Sequence, residues 1–186
     1  EQEPSLWNKS TLHFSGGNVS GGEGELRQYK LVNDQLIASV VEPPTYAGRA
    51  AHFYKTIDPQ TDFGPFPLAD VRARIAEGGV FICYLGHSGT QTWDNSISRV
   101  DQLENDEGRA SLITDFGCST GRFAEPDYNS FSELFVSGDQ SHAIAYIGNA
   151  AAGFVTTALA MPRHFYNSLI TNRAASIGQA HHEMRL

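Results

Sequence analysis

Apolar positions along the chain form short strand-like runs that alternate with longer stretches at helical spacing. The strand-like runs are residues 10–15, 49–56, 80–85, 110–116 and 142–147. Apolar residues at helical spacing predict helices over residues 24–41, 67–78, 130–136 and 154–171, and the tail, 173–186, also allows a helix. Strands that alternate with helices favour an α/β layer fold, with a mostly parallel sheet of about five or six strands and helices on both faces.

Length, charge and hydropathy limit the classes of function. With 186 residues, the chain suits one domain with a sizeable core. The formal net charge is −8, and no long run of Lys or Arg occurs, so we do not expect nucleic acid as a partner. No apolar stretch approaches the roughly 20 residues that span a membrane. Because the first residue is Glu1 rather than Met, we expect the domain, residues 1–186, to be a fragment of a longer precursor.

The two cysteines stand in different contexts. Cys83 lies within the apolar run 80–85, where we expect a buried thiol that behaves as a small hydrophobic residue. Cys118 directly follows the run 110–116, in the small-residue segment 117–121. A framework of several disulfides is therefore excluded, and Cys118 becomes the candidate for chemistry.

A histidine follows the preceding strand-like run in the same way. His87 comes directly after the run 80–85 and has glycines on both sides, at positions 86 and 89. If the two strands are neighbours and parallel, His87 and Cys118 emerge side by side at the carboxyl edge of the sheet. An adjacent imidazole can take the thiol proton and later return it to a leaving group. Spacing alone also allows His87 to be a histidine that bonds to backbone in a turn, and Cys118 to be a buried thiol in a tight turn.

The segments 84–93 and 115–121 resemble the gingipain family of cysteine peptidases, which belongs to the caspase-like clan. Members of that family carry a strand that ends in Gly-His-Gly with a Trp a few residues later, where this chain has Gly86-His87-Ser88 and Trp93. They also carry a nucleophilic cysteine in a small-residue turn that closes the next strand, as Cys118 does here. The resemblance extends over roughly residues 7–172. Ser88 is a departure, because the family usually has glycine there.

The resemblance implies a caspase-like catalytic domain that acts as a cysteine endopeptidase. Cys118 would be the nucleophile and His87 the general acid–base, working through a thioester acyl-enzyme on a protein or peptide substrate. Backbone N–H groups of Cys118 and of the segment after His87 would bind the oxyanion. The residues implied at the oxyanion site and substrate cleft are Ser88, Gly89, Trp93, Gly117, Asn149 and Phe154. No cofactor is required by the sequence; a structural calcium and a bacterial secreted or cell-surface location are implied by the resemblance alone.

Several alternatives stay open. Trp93 could instead be a packing residue that pins the loop after His87, and Ser88 could narrow the cleft or alter the oxyanion donors. A domain of this fold that no longer cuts, and serves as a binding or scaffold module, is the rival hypothesis.

Other polar residues have simpler explanations. We expect Asp115 to brace the turn that holds Cys118, and Glu133 to lie on a solvated helix face. His181 and His182 lack clustered partners, so we predict no metal site. Asp58, Asp62, Asp94 and Asp139 are interpreted as loop residues, one of which could line a pocket for a basic substrate side chain. The glycine-rich stretch 16–24 lacks the Gly-Lys-Ser/Thr ending of a phosphate loop and favours a flexible connection.

Overall fold

The structure, a computed structural model, describes residues 6–17, 22–56, 66–94, 96–104, 108–138 and 142–186. Three of the loop acids named above, Asp58, Asp62 and Asp139, lie outside the described residues, as does part of the glycine-rich stretch 16–24.

The described strands form one five-stranded sheet and one small hairpin. They are β1 (Ser10–Ser15), β2 (Arg49–Tyr54), β3 (Phe81–Leu85), β4 (Ser88–Gly89), β5 (Thr92–Trp93), β6 (Ser111–Asp115) and β7 (Ala143–Ile147). The sheet has the order β2-β1-β3-β6-β7, and every neighbouring pair in it is parallel. This confirms the predicted α/β fold. The antiparallel hairpin of β4 and β5 has no counterpart in the predicted elements.

Five α-helices lie in the described residues: α1 (Glu23–Leu36), α2 (Leu68–Glu77), α3 (Phe131–Ser137), α4 (Val155–Tyr166) and α5 (Ile177–Glu183). Two of them continue as a wider π-helical turn, α1 through Ile37–Val41 and α4 through Asn167–Thr171. These extensions end where the apolar spacing predicts the helices to end. The helix allowed in the tail is present as α5.

The helices cover both faces of the sheet because the buried strands are apolar on both sides. In β3, Ile82 and Tyr84 belong to a core that includes residues of α2 and α3. Cys83 and Leu85 point to the opposite core, which includes residues of α1, α4 and α5. Successive side chains of a strand alternate between the faces, so one apolar run serves two layers. Burial raises the pKa of the Cys83 thiol to about 12, which fits the expected inert role.

The register of β3 and β6 brings the two reactive segments together. Tyr84 of β3 lies opposite Asp115 of β6, so both strands end at the same level. His87 and Cys118 each follow three residues later. Between Tyr84 and His87 the chain passes through Gly86, where an added Cβ would lie 2.6 Å from the Tyr84 hydroxyl oxygen. Glycine is therefore needed before His87 because the tyrosine already fills that space.

A buried polar network fixes α1 against β1. The imidazole of His13 contacts Thr11 Oγ1 at 3.0 Å through Nε2, and Asn33 Oδ1 at 3.2 Å through Nδ1. The Asn33 amide donates to the Phe14 carbonyl and to Ser15 Oγ. Burial lowers the pKa of His13 to about 4, because a charged imidazole is disfavoured away from water.

We expect this histidine to make stability sensitive to acid. A His whose pKa is lowered on folding contributes fully above its unfolded pKa of about 6.5, and that contribution is lost as pH falls towards 4. For His13 the loss between pH 7 and pH 4 is about 3 kcal/mol. Urea unfolding at both pH values should show His13→Gln losing less stability over this interval than the wild type. An equal loss in both proteins would contradict the prediction.

Candidate active site

The turn that carries Cys118 is built on the carboxylate of Asp115. This buried side chain accepts a hydrogen bond from the Gly117 backbone N–H at 2.7 Å through Oδ1, and one from Thr120 Oγ1 at 2.5 Å through Oδ2. The two donors flank Cys118 on either side in the sequence. The expectation that Asp115 braces the cysteine turn is therefore confirmed.

The same carboxylate reaches two neighbouring elements. Its Oδ2 also accepts from Trp93 Nε1 of β5 and from the Tyr146 hydroxyl of β7, each at 2.6 Å. Burial raises the pKa of Asp115, and the donated hydrogen bonds oppose that shift because they favour the charged form. With four donors directed at its two oxygens, Asp115 links the cysteine turn to the β4–β5 hairpin and to β7.

Trp93 is buried and packs in the core, as the alternative role of a packing residue predicts. Its side chain is 1% exposed, and its ring stacks on Tyr84 with centroids 4.6 Å apart. The indole N–H is directed inwards to Asp115. Sequence spacing could not separate the two roles, because the deciding partner, Asp115, lies on another strand.

The His87 imidazole is held by a residue that the sequence reasoning missed. Its Nε2 lies 2.9 Å from Oε1 of Glu25, in the first turn of α1. The His87 side chain is 44% exposed, whereas that of Glu25 is 14% exposed. The Tyr29 hydroxyl donates to the same Glu25 oxygen at 2.9 Å, and the Tyr29 ring packs edge-on against the imidazole. The only signal in the sequence was a Glu four residues before a Tyr on one helix, a spacing that places side chains on one face.

Two contacts show that His87 and Cys118 share one rim of the sheet. Ser88, the residue after His87, hydrogen-bonds through its hydroxyl to the backbone of Cys118. Phe116, two residues before Cys118, donates from its backbone N–H to the Tyr84 carbonyl of β3 at 3.1 Å. The imidazole and the thiol are thus brought to the same edge by adjoining parallel strands.

The loop after β7 closes over the other side of the thiol. The Gly153 backbone N–H donates to the half-buried Cys118 Sγ at 3.3 Å. Asn149 donates from its amide to the Gly117 carbonyl at 2.7 Å, so it braces the turn rather than only lining a cleft. Phe154 follows Gly153 directly and is 74% exposed.

The residue after the cysteine adopts an unusual backbone. Ser119 has φ of 60°, in the left-handed region that non-glycine residues rarely occupy. The loop after β7 helps to hold it there, because the Ser119 N–H donates to the Ala151 carbonyl at 3.0 Å. Strained backbone of this kind concentrates at functional sites, where neighbouring contacts maintain it.

Other sequence candidates have structural roles or none in the site. Glu133, expected on a solvated helix face, forms a capping box with Ser130 at the start of α3. Within the described ranges, no group of three His, Cys, Asp or Glu side chains is placed to hold a metal ion. In that same part of the chain, no helix has the length and hydropathy needed to cross a bilayer.

Asp115→Asn tests the role of the carboxylate in the turn. The asparagine side chain has the shape of aspartate, but its NH2 group cannot accept a hydrogen bond. At least one of the buried donors around Asp115 therefore loses its partner. We expect unfolding to become easier by about 3 kcal/mol, measured by urea denaturation. The exposed Asp70 of α2 supplies the control, and Asp70→Asn should change stability little. Equal effects of the two substitutions would show that the Asp115 network is not a structural requirement.

Solved structures with a similar fold include a cysteine proteinase. The Arg-specific cysteine proteinase gingipain R matches with a TM-score of 0.70 and 15% identity, over 97% of this chain and 43% of that one. The complex of the pro- and mature domains of RgpB from Porphyromonas gingivalis gives a TM-score of 0.65 and 16% identity, over 90% of this chain and 38% of that one. A third structure, described as a protease, gives a TM-score of 0.68 and 15% identity, over 86% of this chain and 32% of that one. The chain thus spans less than half the length of these structures.

Comparison with curated protein sequences gives no match. The family comparison is positive: the peptidase family C25 matches residues 1–186, the whole of this sequence. Such a match carries the identification independently of the low identity to the solved structures. The chain therefore belongs to peptidase family C25 and has the α/β fold of the gingipains.

Proposed function

We propose that this protein is a cysteine endopeptidase in which Cys118 is the nucleophile and His87 the general acid–base. The observation that carries the proposal is the placement of a half-buried thiol and a partly exposed imidazole at one sheet edge, linked through Ser88. Membership of the peptidase family supports a protein or peptide substrate. Calcium binding and secretion stay predictions from the resemblance.

The reaction would proceed in two halves. The Cys118 thiolate adds to the carbonyl carbon of the scissile peptide, and the π electrons move to oxygen to give an oxyanion. The C–N bond then breaks, the leaving amine takes a proton from the His87 imidazolium, and a thioester remains. A water molecule that His87 deprotonates attacks the thioester, which releases the carboxylic acid and restores the thiol.

Glu25 would position the imidazole for both proton transfers. Its carboxylate contacts Nε2 of His87, which leaves Nδ1 for exchange with the thiol and the leaving group. A protonated imidazole can donate a charge-assisted hydrogen bond to a carboxylate at this distance. Glu25 is thus proposed as the third member of the constellation, acting through His87 and not on substrate.

The rim beside Cys118 suits apolar contact with a substrate. Phe154 lies on the loop after β7, and Phe123 lies on the segment after the cysteine turn. Their side chains are 74% and 70% exposed. The two loops are tied by the Gly121 N–H, which donates to the Asn149 carbonyl at 3.0 Å. Exposed aromatic rings beside a reactive group favour binding of bulky apolar side chains.

A binding or scaffold domain without peptidase activity is the second candidate, and one contact favours it. The Ser88 hydroxyl occupies the backbone N–H of Cys118, a group that the peptidase mechanism needs for the oxyanion. The two functions differ in the reactivity of the thiol, because a scaffold needs no activated cysteine.

Alkylation of Cys118 by iodoacetamide, followed by mass spectrometry, separates the two functions. We expect Cys118 to react far faster than the buried Cys83, and His87→Ala to slow it on the order of 100-fold. Glu25→Gln should slow it on the order of 10-fold, since the imidazolium loses its carboxylate.

The exposed Glu77 of α2 gives the matched control, and Glu77→Gln should leave the alkylation rate unchanged. A Cys118 that reacts at the same rate with and without His87 would exclude the peptidase proposal. Cleavage of a peptide library by the wild type, absent in Cys118→Ala, would then define the preferred residues.

A further inference from the structure

The side chain of Ser88 satisfies both backbone polar groups of the proposed nucleophile. The Cys118 N–H donates to Ser88 Oγ at 2.5 Å, and the Ser88 hydroxyl donates to the Cys118 carbonyl at 2.8 Å. One hydroxyl therefore closes a small ring of hydrogen bonds with the cysteine backbone. No backbone element of the sheet replaces this pairing, because Cys118 lies beyond the end of β6.

The hydroxyl is held there by its surroundings. Ser88 lies in β4, where it pairs with Trp93 of β5. Trp93 is fixed by its bond to Asp115 and its stacking on Tyr84. Gly117 leaves just enough room: a Cβ built on it would lie 2.1 Å from Ser88 Oγ and 2.9 Å from Ser88 Cβ. The position of Ser88 is therefore set by the same network that builds the cysteine turn.

The hydroxyl competes with the oxyanion that the proposed reaction forms. When a nucleophile adds to a carbonyl, the negative oxygen develops within reach of the N–H of the nucleophilic residue. One N–H donates one strong hydrogen bond, so the Cys118 N–H cannot bind Ser88 Oγ and the oxyanion at the same time. Ser88 can leave only by turning about χ1 to another staggered rotamer, and it then gives up both hydrogen bonds.

We infer that the Ser88 hydroxyl is a displaceable cap on the backbone N–H of Cys118, the group that would bind the oxyanion. The cap limits the activity of the resting protein until it is displaced. The inference rests on the proposed function, since it assigns a role to a neighbour of the nucleophile. Ser88 is a positioning residue, because it acts through the Cys118 amide. Substrate must displace the hydroxyl before acyl transfer, and removal of the hydroxyl should release the amide.

Two electrophiles that react with the same sulfur separate the effect of the cap from a general change in the reactivity of the thiol. A peptide aldehyde accepts Sγ at its carbonyl carbon, and the hemithioacetal oxygen then lies where the oxyanion would lie. Iodoacetamide is attacked at its CH2 carbon and loses iodide, so no oxyanion forms. A change at the amide should therefore alter aldehyde affinity and leave alkylation nearly unchanged.

The experiment measures the Kd of a panel of short peptide aldehydes and the iodoacetamide rate for Ser88→Ala and Ser88→Gly. We expect the tightest aldehyde to bind about 10-fold more tightly to both variants, the effect of freeing one or two hydrogen bonds. The alkylation rate of Cys118 should stay within about twofold of the wild type. Ser137→Ala is the control, because the exposed Ser137 hydroxyl donates to the Glu133 carbonyl of its own helix.

Each outcome has one meaning. Equal or weaker aldehyde binding by Ser88→Ala, including no binding by either protein, overturns the cap and leaves Ser88 as a structural brace of the turn. Parallel changes in aldehyde affinity and alkylation rate overturn it as well, because they indicate a disturbed thiol. Failure of the peptidase proposal is recognised separately, by alkylation of Cys118 that does not depend on His87.

Discussion

The buried carboxylate of Asp115 is the interaction on which the rest of the site depends. A charge removed from water is costly unless hydrogen bonds replace its hydration. Here the donors come from four places: the Gly117 N–H, the Thr120 hydroxyl, the Trp93 indole and the Tyr146 hydroxyl. Two of these donors belong to the cysteine turn, one to the β4–β5 hairpin and one to β7, so satisfying one charge fixes these three parts relative to one another.

This arrangement makes the site rigid, and rigidity has two consequences. The cysteine turn can keep Ser119 in the left-handed region because its flanks are anchored. The hairpin that carries Ser88 is anchored equally firmly, through Trp93, so the hydroxyl stays on the Cys118 amide. A preorganised site accelerates a reaction only where its donors are directed at the developing charge. In this chain the same preorganisation directs the Cys118 N–H at the Ser88 hydroxyl. Replacing this one small side chain should therefore change how the site binds an oxyanion.

Sequence reasoning succeeded where the signal is local. The apolar run 80–85 predicted a strand with Cys83 buried in it, and the small-residue segments after the runs 80–85 and 110–116 located the sheet edge with His87 and Cys118. It failed where a residue's role depends on a distant partner. In the sequence, Glu25 is one polar residue of an amphipathic helix, and only the packing of α1 shows that it contacts His87. The sequence allowed Trp93 to border a cleft or to pack in the core, and the hydrogen bond from its indole N–H to Asp115 shows that it points inwards. Ser88 was recognised as a departure from the family pattern, but its effect required knowing how close the hairpin lies to the cysteine turn.

The position of Glu25 depends in turn on polar contacts deep under α1. An apolar helix face packs on a sheet in several registers of similar free energy, whereas a buried amide accepts few alternatives. Asn33 donates to the Phe14 carbonyl and to Ser15 Oγ on β1, which pins α1 at one height along the strand. Glu25 lies about two helical turns earlier on the same helix. A shift of even one turn would move its carboxylate about 5 Å along the helix axis and out of reach of the imidazole. The buried network around Asn33 therefore sets the orientation of His87 from the opposite end of the helix.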